Sequence, residues 1–251
     1  NRKLVTMTEF EEAKDKVMMG AERRSLAMTE DEKKLTAYHE GGHAIVAYYS
    51  PASDPIHKAT IIPRGRALGL VMRLPENDRL SVTYEKLKAD IAVAMGGRVA
   101  EELIFGTEKV TSGASSDIQQ ATRMARAMVT EWGMSDKVGP IFFGGDQQDA
   151  YLGGSSGAAK VRADETSKLI DDEVKLVVET GYDVAKDILS KNLDKLHMVA
   201  KALLDYETLT GDEIRDLING KEIIRQDNDY TPKKSTFVTR DMGDDPEPQA
   251  T

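Results

Sequence analysis

Residues 39–43 read His39-Glu40-Gly41-Gly42-His43, inside a segment from about Asp31 to Tyr49 whose apolar residues, Leu35, Tyr38, Ile45 and Tyr49, recur at helical spacing. Thr29 with Glu32 has the spacing of a capping box that opens this helix, and Pro51 stops it. On a helix, residues four apart stand one turn above each other on the same face, so His39 and His43 aim two imidazoles at one point in space. That is the arrangement of a metal pincer, expected here along the edge away from the apolar face. Glu40 borders the same point and is better placed to hold a water than to ligate, so its expected role is general base.

Two imidazoles hold a catalytic metal only with a third protein ligand, the fourth position being left for water. The chain has no Cys, so thiolate ligands and disulfides are excluded. His57, in a predicted strand, and His197, in a late helix, read as structural or surface histidines. Three carboxylates remain: Asp117, which opens a helix after a Gly-containing loop, and Glu101 and Glu102 near the end of the preceding helix. Spacing does not choose among them.

Upstream, Thr8 with Glu11 has capping-box spacing and begins a lead-in helix that runs to about Gly20. Downstream, two β-type runs, His57 to Ile62 and Leu68 to Leu74, flank the turn Pro63-Arg64-Gly65-Arg66 and predict a small hairpin or sheet. From Tyr84 to Phe105 the residues Leu87, Ile91, Met95, Val99 and Leu103 predict a helix closed by Gly106. The loop Thr111-Ser112-Gly113-Ala114-Ser115-Ser116 follows. Ser116 with Gln119 then predicts a helix to Trp132 with Asp117 at its first position and a buried stripe of Ile118, Ala121, Ala125, Met128 and Trp132. The Gly- and aromatic-rich connection 133–157 is long enough to be a functional or mobile loop. A long helix from about Ala159 to Ser190, kinked near Gly181, a helix from Leu193 to Tyr206, and one from the Thr210–Glu213 capping box to Asn219 make a C-terminal helical bundle. Residues 226–251 are polar and predict a disordered tail.

The 251 residues, 40% of them hydrophobic, suffice for a sizeable core. The net charge is −9, with 34 Lys and Arg spread along the chain, which argues against a nucleic-acid partner. No apolar run approaches the roughly 18 residues that span a bilayer, and no signal sequence opens the chain. No Gly-Lys-Ser/Thr phosphate loop occurs, so this segment is not expected to bind ATP. The chain starts at Asn1 on a polar lead-in, which suggests a piece of a longer polypeptide.

Taken together, Tyr38-His39-Glu40-Gly41-Gly42-His43-Ala44, Ile61-Ile62-Pro63-Arg64-Gly65, Gly96-Gly97-Arg98-Val99-Ala100-Glu101-Glu102 and Thr111-Ser112-Gly113-Ala114-Ser115-Ser116-Asp117 resemble, in order and spacing up to about Arg225, the protease domain of the FtsH family. The resemblance implies a mainly α, zincin-like metalloprotease domain with a small β-sheet and a C-terminal helical bundle. It implies one Zn2+ per subunit on His39, His43 and Asp117, with Glu40 as catalytic base. By the same resemblance, residues 1–28 are a linker and lead-in helix after an ATPase module absent from this chain, 29–225 are the metalloprotease domain, and ATP acts only through the absent module. The implied whole is a processive, membrane-anchored homohexamer that degrades unfolded and membrane proteins, at the bacterial inner membrane facing the cytoplasm or at an organelle membrane, with membrane contact only through segments outside this chain. A substrate strand is expected to add to the edge of the small sheet at Leu68, Gly69, Leu70 and Val71. Two rival readings are a free-standing zinc peptidase using Glu101 or Glu102 as third ligand, and a non-enzymatic helical assembly module with a vestigial site. The family usually carries Ala where Gly41 stands; Gly there costs about 1 kcal/mol of helix stability and touches no ligand position.

Overall fold

The computed structural model describes residues 5–23, 25–26, 28–65, 67–75, 77–78, 80–143 and 164–225. Most of the connection 133–157, the expected helix start near Ala159 and the polar tail 226–251 lie outside the described residues. Helix α1 spans Met7–Met19. Its capping box is Thr6 with Glu9, two residues before the expected Thr8 and Glu11. Both pairs have the required spacing, but Thr6 holds the extended backbone of a cap (φ −86°, ψ 162°), and Glu11 instead pairs with Lys14 at 2.6 Å.

Helix α2 spans Glu30–Tyr49 and is capped by Thr29 and Glu32 as expected. Thr36, Ala37 and every residue from His39 to Ala47 are buried, so the expected polar edge carrying the histidines does not exist. Helix α3 (Tyr84–Phe105) covers the histidine side, and helix α6 (Leu193–Tyr206) packs on Gly41 through Leu196 and Ala200. Glycine permits the first contact. A Cβ on Gly42 would fall 2.6 Å from the Ala100 Cβ and closer still to the Gly96 carbonyl oxygen, and one on Gly96 would fall 2.8 Å from the Gly42 carbonyl oxygen. The two backbones touch here, leaving no room for a side chain at either position.

Strands β1 (Ile56–Thr60), β2 (Leu70–Arg73) and β3 (Thr208–Thr210) form an antiparallel sheet in the order β2-β1-β3, leaving β2 on an edge. Leu68 and Gly69 precede β2 rather than belonging to it. The third strand is absent from the sequence reading because three residues carry no periodicity. Glu207, in the left-handed region at φ 60°, closes α6 by donating its N–H to Leu203 and turns the chain into β3.

Helix α4 spans Ser115–Thr130. A 3-10 turn, Ser112–Ala114, runs directly into it, so the expected Ser116–Gln119 box does not start the helix and Asp117 is its third residue, not its first. Ala121, Ala125 and Met128 are buried as expected, but Ile118 and Trp132 are exposed, because only the face turned to α3 and to helix α5 (Asp164–Lys191) is covered. Helix α5 runs on through Gly181, where a Cβ would lie within 3.3 Å of the α3 backbone at Ala92. Helices α5, α6 and α7 (Gly211–Ile218) share one core with α2 and α3, including Ile45, Ile91, Leu189, Leu203, Leu209 and Ile214.

A methyl at position 42 meets backbone, whereas one at 41 meets the flexible end of Leu196 at 3.1 Å. Gly42→Ala is therefore expected to destabilise by about 3 kcal/mol, and Gly41→Ala by no more than about 1 kcal/mol, as helix propensity offsets the crowding. Equal shifts in urea unfolding would contradict this. At the C-terminal end, burial raises the Glu213 carboxyl, but hydrogen bonds from Arg225 (2.7 and 3.1 Å) and the Thr210 N–H (2.8 Å) outweigh it and hold its pKa below the ordinary 4.5. A lowered folded pKa contributes stability that is present above 4.5 and lost as pH falls through the folded value. Glu213→Gln is expected to flatten the acid limb of stability below that pH, read from chemical unfolding at pH 3 to 7.

Candidate active site

Helix α2 stacks His39 and His43 one turn apart, and their rings meet edge to face with centroids 4.7 Å apart. Each ring is anchored through Nδ1. His43 Nδ1 lies 2.7 Å from the Val93 carbonyl oxygen, which can only accept, so this nitrogen carries the proton. His39 Nδ1 lies 2.7 Å from the fully buried Glu101 carboxylate, whose other oxygen accepts from the Thr111 N–H (2.9 Å) and hydroxyl (3.2 Å). With Nδ1 carrying the proton, each ring when neutral presents a bare Nε2 lone pair to the same side.

At that side the first turn of α4 delivers Asp117. Its Oδ2 lies 3.2 Å from His39 Nε2 and 3.5 Å from His43 Nε2, and the two nitrogens are 3.1 Å apart. Ligands at about 2.0–2.1 Å in a tetrahedron around zinc stand about 3.3 Å from one another. The triangle fits that group, and three acceptor atoms at these separations repel one another unless a cation lies among them. A Cβ on Gly97 would fall 2.6 Å from His43 Nε2 and nearer to His39 Nε2, so α3 backs the rings with bare main chain.

The electrostatics point the same way. Burial opposes charge on His39, yet hydrogen bonds to Asp117 and Glu101 and the nearby Glu40 outweigh it and raise its pKa to about 10. Burial pushes the Asp117 carboxyl up, but His39 and His43 hold it well below the usual carboxylate range, and Glu101 is lowered in the same sense by His39 and Thr111. The pocket demands positive charge. Glu40 differs: burial, only partly opposed by the two histidines, raises its carboxyl above the ordinary value, which suits a proton acceptor working nearer neutrality.

His39, Glu40, His43 and Asp117 line one cavity of about 780 Å³ together with Leu68, Gly69, Leu70 and Val71. Glu101 faces the opposite nitrogen of His39 and Glu102 turns away, to the Tyr182 hydroxyl (2.5 Å) and Lys186 (3.2 Å), so neither joins the triangle. His197 bonds the Tyr38 hydroxyl at 2.8 Å. His57 gathers with Glu11 and Asp15, their donor atoms within 4.8 Å of one another, but Lys14 already pairs with Glu11 and Lys58 with Asp15. That cluster is internally neutralised, and it pins α1 to β1.

The model of peptidase family M41 matches residues 26–217. The chain belongs to peptidase family M41. Among curated relatives in that family are proteins named ATP-dependent zinc metalloprotease FtsH: that of Rickettsia bellii (strain RML369-C) is 63% identical over 232 residues, covering 92% of this chain and 36% of the relative. That of Caulobacter vibrioides (strain NA1000 / CB15N) is 60% identical over 220 residues (88% and 35%), and that of Neorickettsia risticii (strain Illinois) 54% over 247 (97% and 38%). The chain spans little more than a third of the length of these relatives. All three are bacterial, and no helix among the described residues is long and apolar enough to cross a membrane.

Within this M41 chain, sequence reasoning weighed Glu101 only as a ligand and missed it, and the Val93 carbonyl, as anchors of the rings. Val93, Gly97 and Glu101 are spaced four apart on α3, matching the four-residue step between the histidines. The signal was Gly96-Gly97 inside a strong helix, a pair whose helix cost of about 1 kcal/mol each needs a reason in close approach. Glu101→Gln is expected to weaken divalent-metal affinity on the order of 10–100-fold in chelator competition with the fold intact, whereas Glu102→Gln changes it by less than about twofold.

Proposed function

We propose that residues 29–225 are the zinc-dependent endopeptidase unit of a membrane-anchored, ATP-dependent protease, with residues 1–28 leading in from an ATPase module outside this chain. One observation carries the peptidase reading: two bare Nε2 atoms and one Asp117 oxygen converge at tetrahedral-edge separations beside a buried carboxylate. His39, His43 and Asp117 would hold the zinc. Zinc, when bound, supplies Lewis acidity toward water and toward a carbonyl oxygen.

The chain's own residues do the rest. Val93 and Glu101 fix both ring tautomers and so keep the Nε2 lone pairs aimed at the metal position. Glu40 takes the proton of the attacking water and returns it to the leaving amine as the peptide bond breaks. A substrate strand adds to the free edge of β2, where main-chain pairing holds many side-chain sequences. This suits an enzyme that degrades unfolded and membrane proteins, and Leu68, Gly69, Leu70 and Val71 would line the strand's path.

The relatives' names support ATP-driven delivery of substrate, and the family resemblance supports a homohexameric assembly and placement at the bacterial inner membrane with this unit on the cytoplasmic side. The acidic chain, with its dispersed positive charge, supports a protein rather than a nucleic-acid substrate. In the protein carrying its ATPase module, Glu40→Gln is expected to keep one zinc per chain and lower cleavage of an unstructured protein by at least about 10²-fold. Asp117→Asn is expected to lose stoichiometric zinc in metal analysis. Full cleavage by Glu40→Gln, or full zinc in Asp117→Asn, would refute the assignment.

A further inference from the structure

We propose that Gly69 is a positioning residue for Glu40, its bare main chain forming the seat against which the base's carboxylate rests. The inference depends on the reading of Glu40 as general base. A Cβ on Gly69 would lie 2.6 Å from Glu40 Oε1, 2.7 Å from Glu40 Cγ and 2.8 Å from Thr36 Cγ2, closer than packed carbon atoms come. Gly69 is not among the glycines with positive φ, so other residues could adopt its backbone angles; space, not conformation, demands glycine here.

On the other side of the contact, Thr36 cannot give way. It is buried within α2, its branched side chain is stiff at χ1, and its hydroxyl donates to the Glu32 carbonyl at 2.8 Å. Glu40 can, because no hydrogen bond from a described residue holds its carboxylate, and only packing fixes where it sits. A side chain at 69 would therefore displace the base and leave His39, His43 and Asp117 in place. Since β2 begins at Leu70, the next residue, a strand laid along that edge also braces the seat. Substrate binding and base placement then share one piece of main chain.

The test uses the protein with its ATPase module, an unstructured protein substrate, zinc analysis, and four forms: wild type, Gly69→Ala, Gly69→Ala with Thr36→Ser, and Glu40→Gln. Gly69→Ala is expected to keep one zinc per chain and a KM within about threefold while kcat falls on the order of 10²-fold, the cost of roughly 1 Å of misplacement. Thr36→Ser removes the methyl that pinches the new side chain and is expected to recover kcat about tenfold in the Gly69→Ala background. Unchanged kcat, loss confined to KM, loss of zinc, or no recovery in the double variant would each overturn the proposal while an inactive, zinc-bearing Glu40→Gln leaves the base reading standing. An active Glu40→Gln would remove that reading, and the proposal with it.

Discussion

Three acceptor atoms held 3.1 to 3.5 Å apart, with both histidine protons committed elsewhere, are the constraint on which the rest of this structure depends. Such an arrangement is unfavourable alone, since the lone pairs face one another in a pocket largely withdrawn from water. The raised proton affinity of His39 expresses the same tension, which a divalent ion held by these atoms would resolve. Folding energy elsewhere must hold this geometry, and both histidines are buried by the helices packed around them.

Helix α3 supplies that hold. It approaches α2 backbone to backbone at Gly42 and Gly96, and one of its faces then presents the Val93 carbonyl, the bare Gly97 and the Glu101 carboxylate in four-residue steps to a histidine pair of matching step. The two helices act as facing combs: one carries the two histidines, the other carries the groups that orient them. Glu101 in turn ties the loop at Thr111, which leads through the 3-10 turn into α4 and fixes where Asp117 emerges. Both anionic partners of His39 are therefore set by one buried carboxylate and the loop it holds.

The sheet is small, but its placement matters more than its size. With β1 paired on both sides, β2 is left as an edge that runs along the cleft, and the main chain just before it rests on Glu40. Beside that edge, the Asp15–Lys58 ion pair attaches the lead-in helix α1 to the middle of β1.

Helix positions, two of the capping boxes, the edge strand and the His39–His43 pincer were legible in the chain because each depends on residues a few positions apart. Reading failed where distant contacts outvoted local signals. The 3-10 turn moved Asp117 two positions along its helix, burial of α2 from His39 to Ala47 erased the polar edge expected for the histidines, and β3 forms only because β1 offers it a partner some 150 residues away. Spacing left Asp117, Glu101 and Glu102 equivalent. Sequence by itself determined the two imidazoles, since four residues make one helical turn; only the tertiary structure decided that one carboxylate meets their lone pairs while another meets a ring proton, because that choice is made by the packing of α3 and α4 across a gap no local pattern records.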